Sequence, residues 1–218
     1  LFNIGITKAV DIGLLSDYTI NVLNVSLGEG KNIEAGNKAK RFMQSERQAY
    51  NYASEQLSLA ISSGDNNKIK FQAFNRMRLI KNSKTKLGAV KELRQRLSGR
   101  KLFFASNIAQ AEEISPLTYH SKTDGTHLRS FKEMETHELV LVNSGGTGHT
   151  YKSIDHLVLV QADSNKNGLS SQKICRSLLA QKGHKATIWV ICLIGTQDQK
   201  WVESTLKCFD ASKINYHN

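Results

Sequence analysis

Apolar and polar residues along the chain follow two periods. Asp17–Ser26 alternates, with Tyr18, Ile20 and Val22 on one side, and predicts a strand continuing through Leu23 to Val25. Leu102–Ala105 (LFFA), Glu138–Val142 (ELVLV), His156–Gln161 (HLVLVQ) and Ala186–Ile194 (ATIWVICLI) are largely apolar, the pattern of strands buried on both faces. Thr118–His120 reads as one further short strand. Elsewhere the spacing turns helical: residues 8–15, Ala39–Ser62, Lys68–Ile80, Lys84–Leu97, Asn107–Ile114, Thr126–Met134, Ser170–Gln181 and Asp198–Phe209. In the first long helix the apolar positions are Phe42, Ala49, Tyr50, Ala53, Leu57 and Ile61; in the next but one, Leu87, Val90, Leu93 and Leu97 form a stripe. Gly28–Gly36 reads as a polar loop.

Apolar strands alternating with helices predict an α/β fold, a three-layer sandwich with a mainly parallel sheet. A length of 218 residues fits one domain. Its core spans 84–218, with a helical insertion or arm over 28–82 near the N-terminus. In such sheets ligands gather at the carboxyl ends of the strands. Chemistry is therefore expected in the loops after Ala105, His120, Val142, Gln161 and Ile194.

Charge narrows the partners. The net charge is +11, with basic residues at Lys38, Lys40 and Arg41, at Lys68 and Lys70, and from Arg76 to Lys101. That excess favours a polyanion, chiefly nucleic acid. Cys175, Cys192 and Cys208 lie far apart, so no zinc site or disulfide framework is expected. No apolar run is long enough for a membrane span, and no signal peptide is recognised. The chain opens at Leu1 in patterned sequence and reads as a fragment of a longer protein.

Several loops carry candidate chemistry. After ELVLV, Asn143–Thr150 (NSGGTGHT) has glycines that let backbone amides approach a phosphate. As a dinucleotide fingerprint it lacks the third glycine, although Asp163 stands at a suggestive distance. A glycine turn is the bland alternative. Gly30-Lys31 is the only GK pair, and it is not part of a P-loop, so the chain cannot build a complete ATP site alone. Asp163 also ends a strand as a Walker-B acid does, but without a P-loop it reads as a loop or capping residue. Gln172 and Arg176 share one helix face, either as an exposed pair or as groups reaching a nucleotide on a neighbouring domain. Tyr119–Asp124 (YHSKTD) joins an aromatic ring, a His, hydroxyls and a Lys, side chains that contact phosphates.

In their order these segments resemble the C-terminal RecA-like domain of superfamily 2 DEAD/DEAH-type DNA/RNA helicases of phage and bacterial type. Lys101–Ile114 (KLFFASNIAQAEEI) is similar to motif IV, Tyr119–Asp124 to motif IVa, Leu139–Val160 to motif V, and Ser170–Leu179 (SSQKICRSLL) to motif VI. Ala9–Val25 resembles the entry segment of that domain. The resemblance implies a helicase or translocase half that completes the ATP site of an absent N-terminal Walker-A domain. ATP and Mg2+ would be held mainly by that domain, and the fragment alone would be inactive. The implied partners are this N-terminal domain and nucleic acid, DNA rather than RNA, in the cytoplasm of a bacterial or phage-infected cell, with no membrane.

By position, Ser106, Asn107, His120, Ser121, Lys122, Ser144 and Thr147 would contact nucleic acid. Gly148 and Tyr151 would face the ATP cleft, with Gln172 and Arg176 catalytic and Arg176 the finger. Three departures stand out: Cys175 replaces the motif VI glycine, Leu179 its second arginine, and Thr150 a motif V aspartate. They leave open a non-catalytic nucleic-acid-binding or interaction module with a degenerate helicase fold.

Overall fold

The computed structural model describes residues 6–36, 40–142, 151–162, 169–178 and 184–218; the side chains of residues 7, 169, 176 and 177 lie outside that set. Helix α1 (Ile6–Asp11) precedes strand β1 (Asp17–Val25) and a hairpin of β2 (Ile33–Gly36) and β3 (Arg41–Gln44). Helices α2 (Glu46–Ser63), α3 (Asn66–Lys81) and α4 (Lys84–Arg96) follow. Then come β4 (Lys101–Ala105), α5 (Ile108–Ile114), β5 (Thr118–Tyr119), α6 (Thr126–Lys132), β6 (Glu138–Val142) and β7 (His156–Leu159). The described chain closes with α7 (Leu169–Ser177), β8 (Lys185–Leu193), α8 (Gln197–Leu206) and β9 (Ile214–His217).

The sheet has seven strands in the order β5-β6-β4-β7-β8-β1-β9, and every pairing is parallel. Strand alternation sends successive residues to opposite faces. Leu102, Phe104, Leu139, Leu141, Leu157, Leu159, Ile188 and Val190 point to one face, covered by α1, α6, α7 and α8. Phe103, Ala105, Val140, Val142, Val158, Val160 and Ile191 point to the other, under α4 and α5. Each such Leu, Ile, Val or Phe side chain, once buried, stabilises by roughly 1.5–3 kcal/mol. This is the sandwich that the apolar strand runs predict. A third cluster, Leu27, Tyr50, Ile80 and Leu193, seats α2 and α3 at the carboxyl end of β8.

The N-terminal third departs from expectation. The Gly28–Gly36 loop and the start of the Ala39–Ser62 helix give way to the β2-β3 hairpin. Helix α2 begins only at Glu46, because Ser45 and Gln48 form a capping box there. Phe42 therefore sits on a strand and Ile61 is exposed, whereas Ala49, Tyr50, Ala53 and Leu57 are buried. The core is not confined to 84–218 either: β1 lies inside the sheet, between β8 and β9. β9 itself is an unexpected edge strand.

Candidate nucleic-acid interface

At the carboxyl edge, β4 ends in Ala105 and runs into Ser106 and Asn107. Asn107 is the N-cap of α5, its side-chain oxygen accepting from the Gln110 amide at 2.9 Å. Ser106 donates its amide to Gln110 Oε1 at 2.9 Å. Two strands away, β5 ends in Tyr119 and turns at His120. Thr123 Oγ1 accepts from the His120 amide at 3.1 Å and donates to its carbonyl at 2.9 Å, closing the turn. His120 is buried, and its Nδ1 accepts from the Lys122 amide at 3.3 Å. The ring's other nitrogen, Nε2, faces Glu112 Oε1 at 3.7 Å. Ser121 and Lys122 are thereby turned out to solvent.

These segments meet. Ser106, Asn107, Ile108, Ala109, His120, Ser121 and Val142 line one open cavity of about 580 Å³. Hydroxyls, an amide and a nearby exposed lysine around a shallow cavity offer what a phosphate or sugar takes. Four residues singled out by sequence are thus brought together, with Lys122 beside them.

Other expected site residues are placed elsewhere or not at all. Ser144, Thr147 and Gly148 lie outside the described residues, as does Asp163. Tyr151 is 3% exposed and packs edge-on against Phe131, 6.1 Å between ring centroids, within the core. On α7, Ile174 is buried and Lys173 nearly so, which leaves Gln172 exposed. Arg176 belongs to the same helix, but its side chain lies outside the described set. Cys175 is half-buried, and burial pushes its thiol up to about 11, so it is protonated at neutral pH and no nucleophile. Among the described residues no group of three His, Cys, Asp or Glu could hold a metal ion. Among the described residues, too, no helix is long and apolar enough to cross a membrane.

Two features escaped the sequence reading. The end of α3 docks on the cavity rim: the Lys81 carbonyl accepts from Gln110 Nε2 at 3.1 Å and from Ser106 Oγ at 3.3 Å. Asn107 Nδ2 donates to Asn82 Oδ1 at 3.0 Å. Beneath the edge, Lys86 Nζ meets Asp198 Oδ2 at 2.6 Å, both side chains fully buried. Gln161 bridges them, accepting from Lys86 at 3.0 Å and donating to Asp198 Oδ1 at 2.6 Å. Spacing offers no signal for either, because the partners are far apart in sequence.

No protein-family model matches the chain, and no curated protein is similar to it in sequence. Solved structures are similar in fold. The C-terminal domain of the DEAD-box protein Dbp5 superposes with a TM-score of 0.51 at 15% identity, over 62% of this chain and 84% of that one. S. cerevisiae Dbp5 bound to RNA and ADP BeF3 superposes with a TM-score of 0.51 at 14% identity, over 61% of this chain and 38% of that one. The fold is that of the C-terminal RecA-like domain of such helicases. The chain spans well under half of the Dbp5 chain in the RNA complex.

Proposed function

We propose that the chain is the second RecA-like half of an ATP-dependent nucleic-acid helicase or translocase, and that its carboxyl-edge cavity grips the backbone of one strand. The observation that carries this is the convergence of Ser106, Asn107, His120 and Ser121, from the ends of β4 and β5, on one cavity. The +11 charge supports a polyanionic occupant. The expectation of DNA over RNA gains no support, since the Dbp5 structure of the same fold is bound to RNA. The proposed partner is a single strand of either kind.

In this reading Gln172, exposed on α7, and Arg176 on the same helix face a nucleotide held by a Walker-A domain. Arg176 stabilises charge on the transferred phosphate as a permanent guanidinium. ATP and Mg2+ are contributed with that domain.

Two measurements test the proposal. Fluorescence anisotropy of labelled single strands should give weaker binding by the Ser121→Ala/Lys122→Gln chain, with a salt dependence flatter by about 0.7 in logarithmic slope for the lost phosphate contact. Unchanged affinity would remove the edge site. With a Walker-A domain joined to the chain, Arg176→Ala should lower strand-stimulated ATPase by about a thousand-fold or more. Equal rates, or none in the joined parent, would favour the non-catalytic reading.

A further inference from the structure

Helix α3 buries only Ile80, and its sequence NNKIKFQAFNRMRLIK holds no acidic residue. It packs on α2 and on the cluster beneath Ile80, and Arg76 donates to Gln197 Oε1 at 3.4 Å. On its outer side Phe71 is 62% and Phe74 53% exposed. Scattered surface apolar residues need no explanation. These two are not scattered, because Phe71, Phe74, Asn75, Arg78 and Asn82 follow helical spacing and share one stripe. Among the described residues Lys70, Arg78 and Lys81 form no ion pair. Asn75, Arg78 and Asn82 line one wall of a second cavity, of about 380 Å³; Glu46 lies on the opposite wall, its carboxylate already hydrogen-bonded by Ser83 and Thr85. The stripe ends at the first cavity, where Asn82 accepts from Asn107 at 3.0 Å. Phe71 and Asn82 are about 16 Å apart along the helix at 1.5 Å per residue.

We infer that α3 extends the strand-binding track: bases stack on Phe71 and Phe74 while Arg78, Lys70 and Lys81 meet the phosphates. This rests on the reading of the carboxyl edge as a strand grip, and adds a site outside the segments that resemble helicase motifs. Charge decides the occupant. A helix face with cations, aromatic rings and no carboxylate suits a single-stranded polyanion, whose unpaired bases offer π-faces of any sequence. A duplex keeps its bases stacked inside and gains nothing from the rings.

Anisotropy titrations of fluorescein-labelled oligothymidylate and oligouridylate test this with the 218-residue chain. Phe71→Ala/Phe74→Ala should weaken binding at least about ten-fold, the loss expected when stacked bases lose their platform. The melting temperature should hold, because both rings are exposed. The salt slope should also hold, because no phosphate contact is removed. Phe71→Tyr/Phe74→Tyr should keep the affinity of the parent. Arg78→Gln should instead flatten the slope by about 0.7.

Unchanged affinity in the alanine variant overturns the inference. If Ser121→Ala/Lys122→Gln then still weakens binding, the edge grip stands without α3. Loss in the phenylalanine variant and none in the edge variant supports α3 and removes the edge grip. A parent chain that binds neither polymer removes both.

Discussion

Asn107 both caps α5 with its side-chain oxygen and donates its amide to Asn82 at 3.0 Å, so one residue joins the sheet edge to the end of α3. The two functions separate in Asn107→Asp. Aspartate caps as well as asparagine, and Asn82 can turn its own amide to donate. The variant should melt within a degree or so of the parent. It also adds a carboxylate to the cavity rim, where a phosphate is proposed to sit. Strand affinity should fall several-fold, most strongly at low salt. Unaltered affinity at low salt would show that no anion approaches Asn107.

The buried Lys86–Asp198 pair makes a second prediction. Both side chains are fully buried at 2.6 Å, and Asp198 Oδ2 also accepts the Leu193 amide at 2.9 Å. Removing one partner strands the other's charge away from water, a loss of about 3–5 kcal/mol. Lys86→Met and Asp198→Ala should each lower the urea midpoint accordingly. The double variant should lose clearly less than the sum of the two. Strict additivity would mean that the charges do not stabilise one another.

Glu46 predicts a pH dependence. Burial alone would raise its carboxyl. Hydrogen bonds from the Thr85 and Ser83 hydroxyls and the Gly28 and Thr85 amides outweigh that and hold it below its ordinary value of 4.5. The native state thus binds fewer protons than the unfolded chain. The stability so gained is full above 4.5 and is lost as pH falls from there through the lowered native value. Glu46→Gln should cost about 1–3 kcal/mol at neutral pH, by weakening the cap on α4. Its urea midpoint should then vary less steeply with acid than that of the parent. Parallel acid profiles would exclude Glu46 as a source of the dependence.

What the sequence disclosed follows from how each element is stabilised. Glu138–Val142 was legible because a strand buried on both faces must be apolar throughout, and the structure places it at those bounds. The same holds for Leu87, Val90 and Leu93, whose stripe covers one side of the sheet. β2, β3 and β9 bury none of their four residues fully, so no apolar run marks them as it marks the four-residue β7, and β9 lies at the sheet edge with three of its residues exposed. The capping box at Ser45 was a local signal that could have set the start of α2. At the site, His120 and Asn107 could be chosen because each lies in a segment, at the end of an expected strand, that resembles a helicase motif. Asn82 could not, because its contact with Asn107 exists only once α3 has folded back onto the edge. Nothing in the spacing marks Lys86 and Asp198 as partners, since only packing reveals that they are enclosed together.

The turn into β4 offers a final prediction. Gly99 has φ +81, and a Cβ there would lie 2.5 Å from Asp155 Oδ2. That same oxygen accepts the Arg100 amide at 2.7 Å, so it is not free to retreat. Gly64 has φ +71 with nothing within 4 Å. Alanine at Gly64 should therefore cost only the left-handed backbone penalty, roughly 1–2 kcal/mol. Alanine at Gly99 carries that penalty and the collision as well, and should cost at least about 1 kcal/mol more, because a displaced Asp155 leaves the Arg100 amide without its acceptor. Urea unfolding of the two variants compares them directly. Equal losses would mean that Asp155 moves aside freely and does not fix the turn.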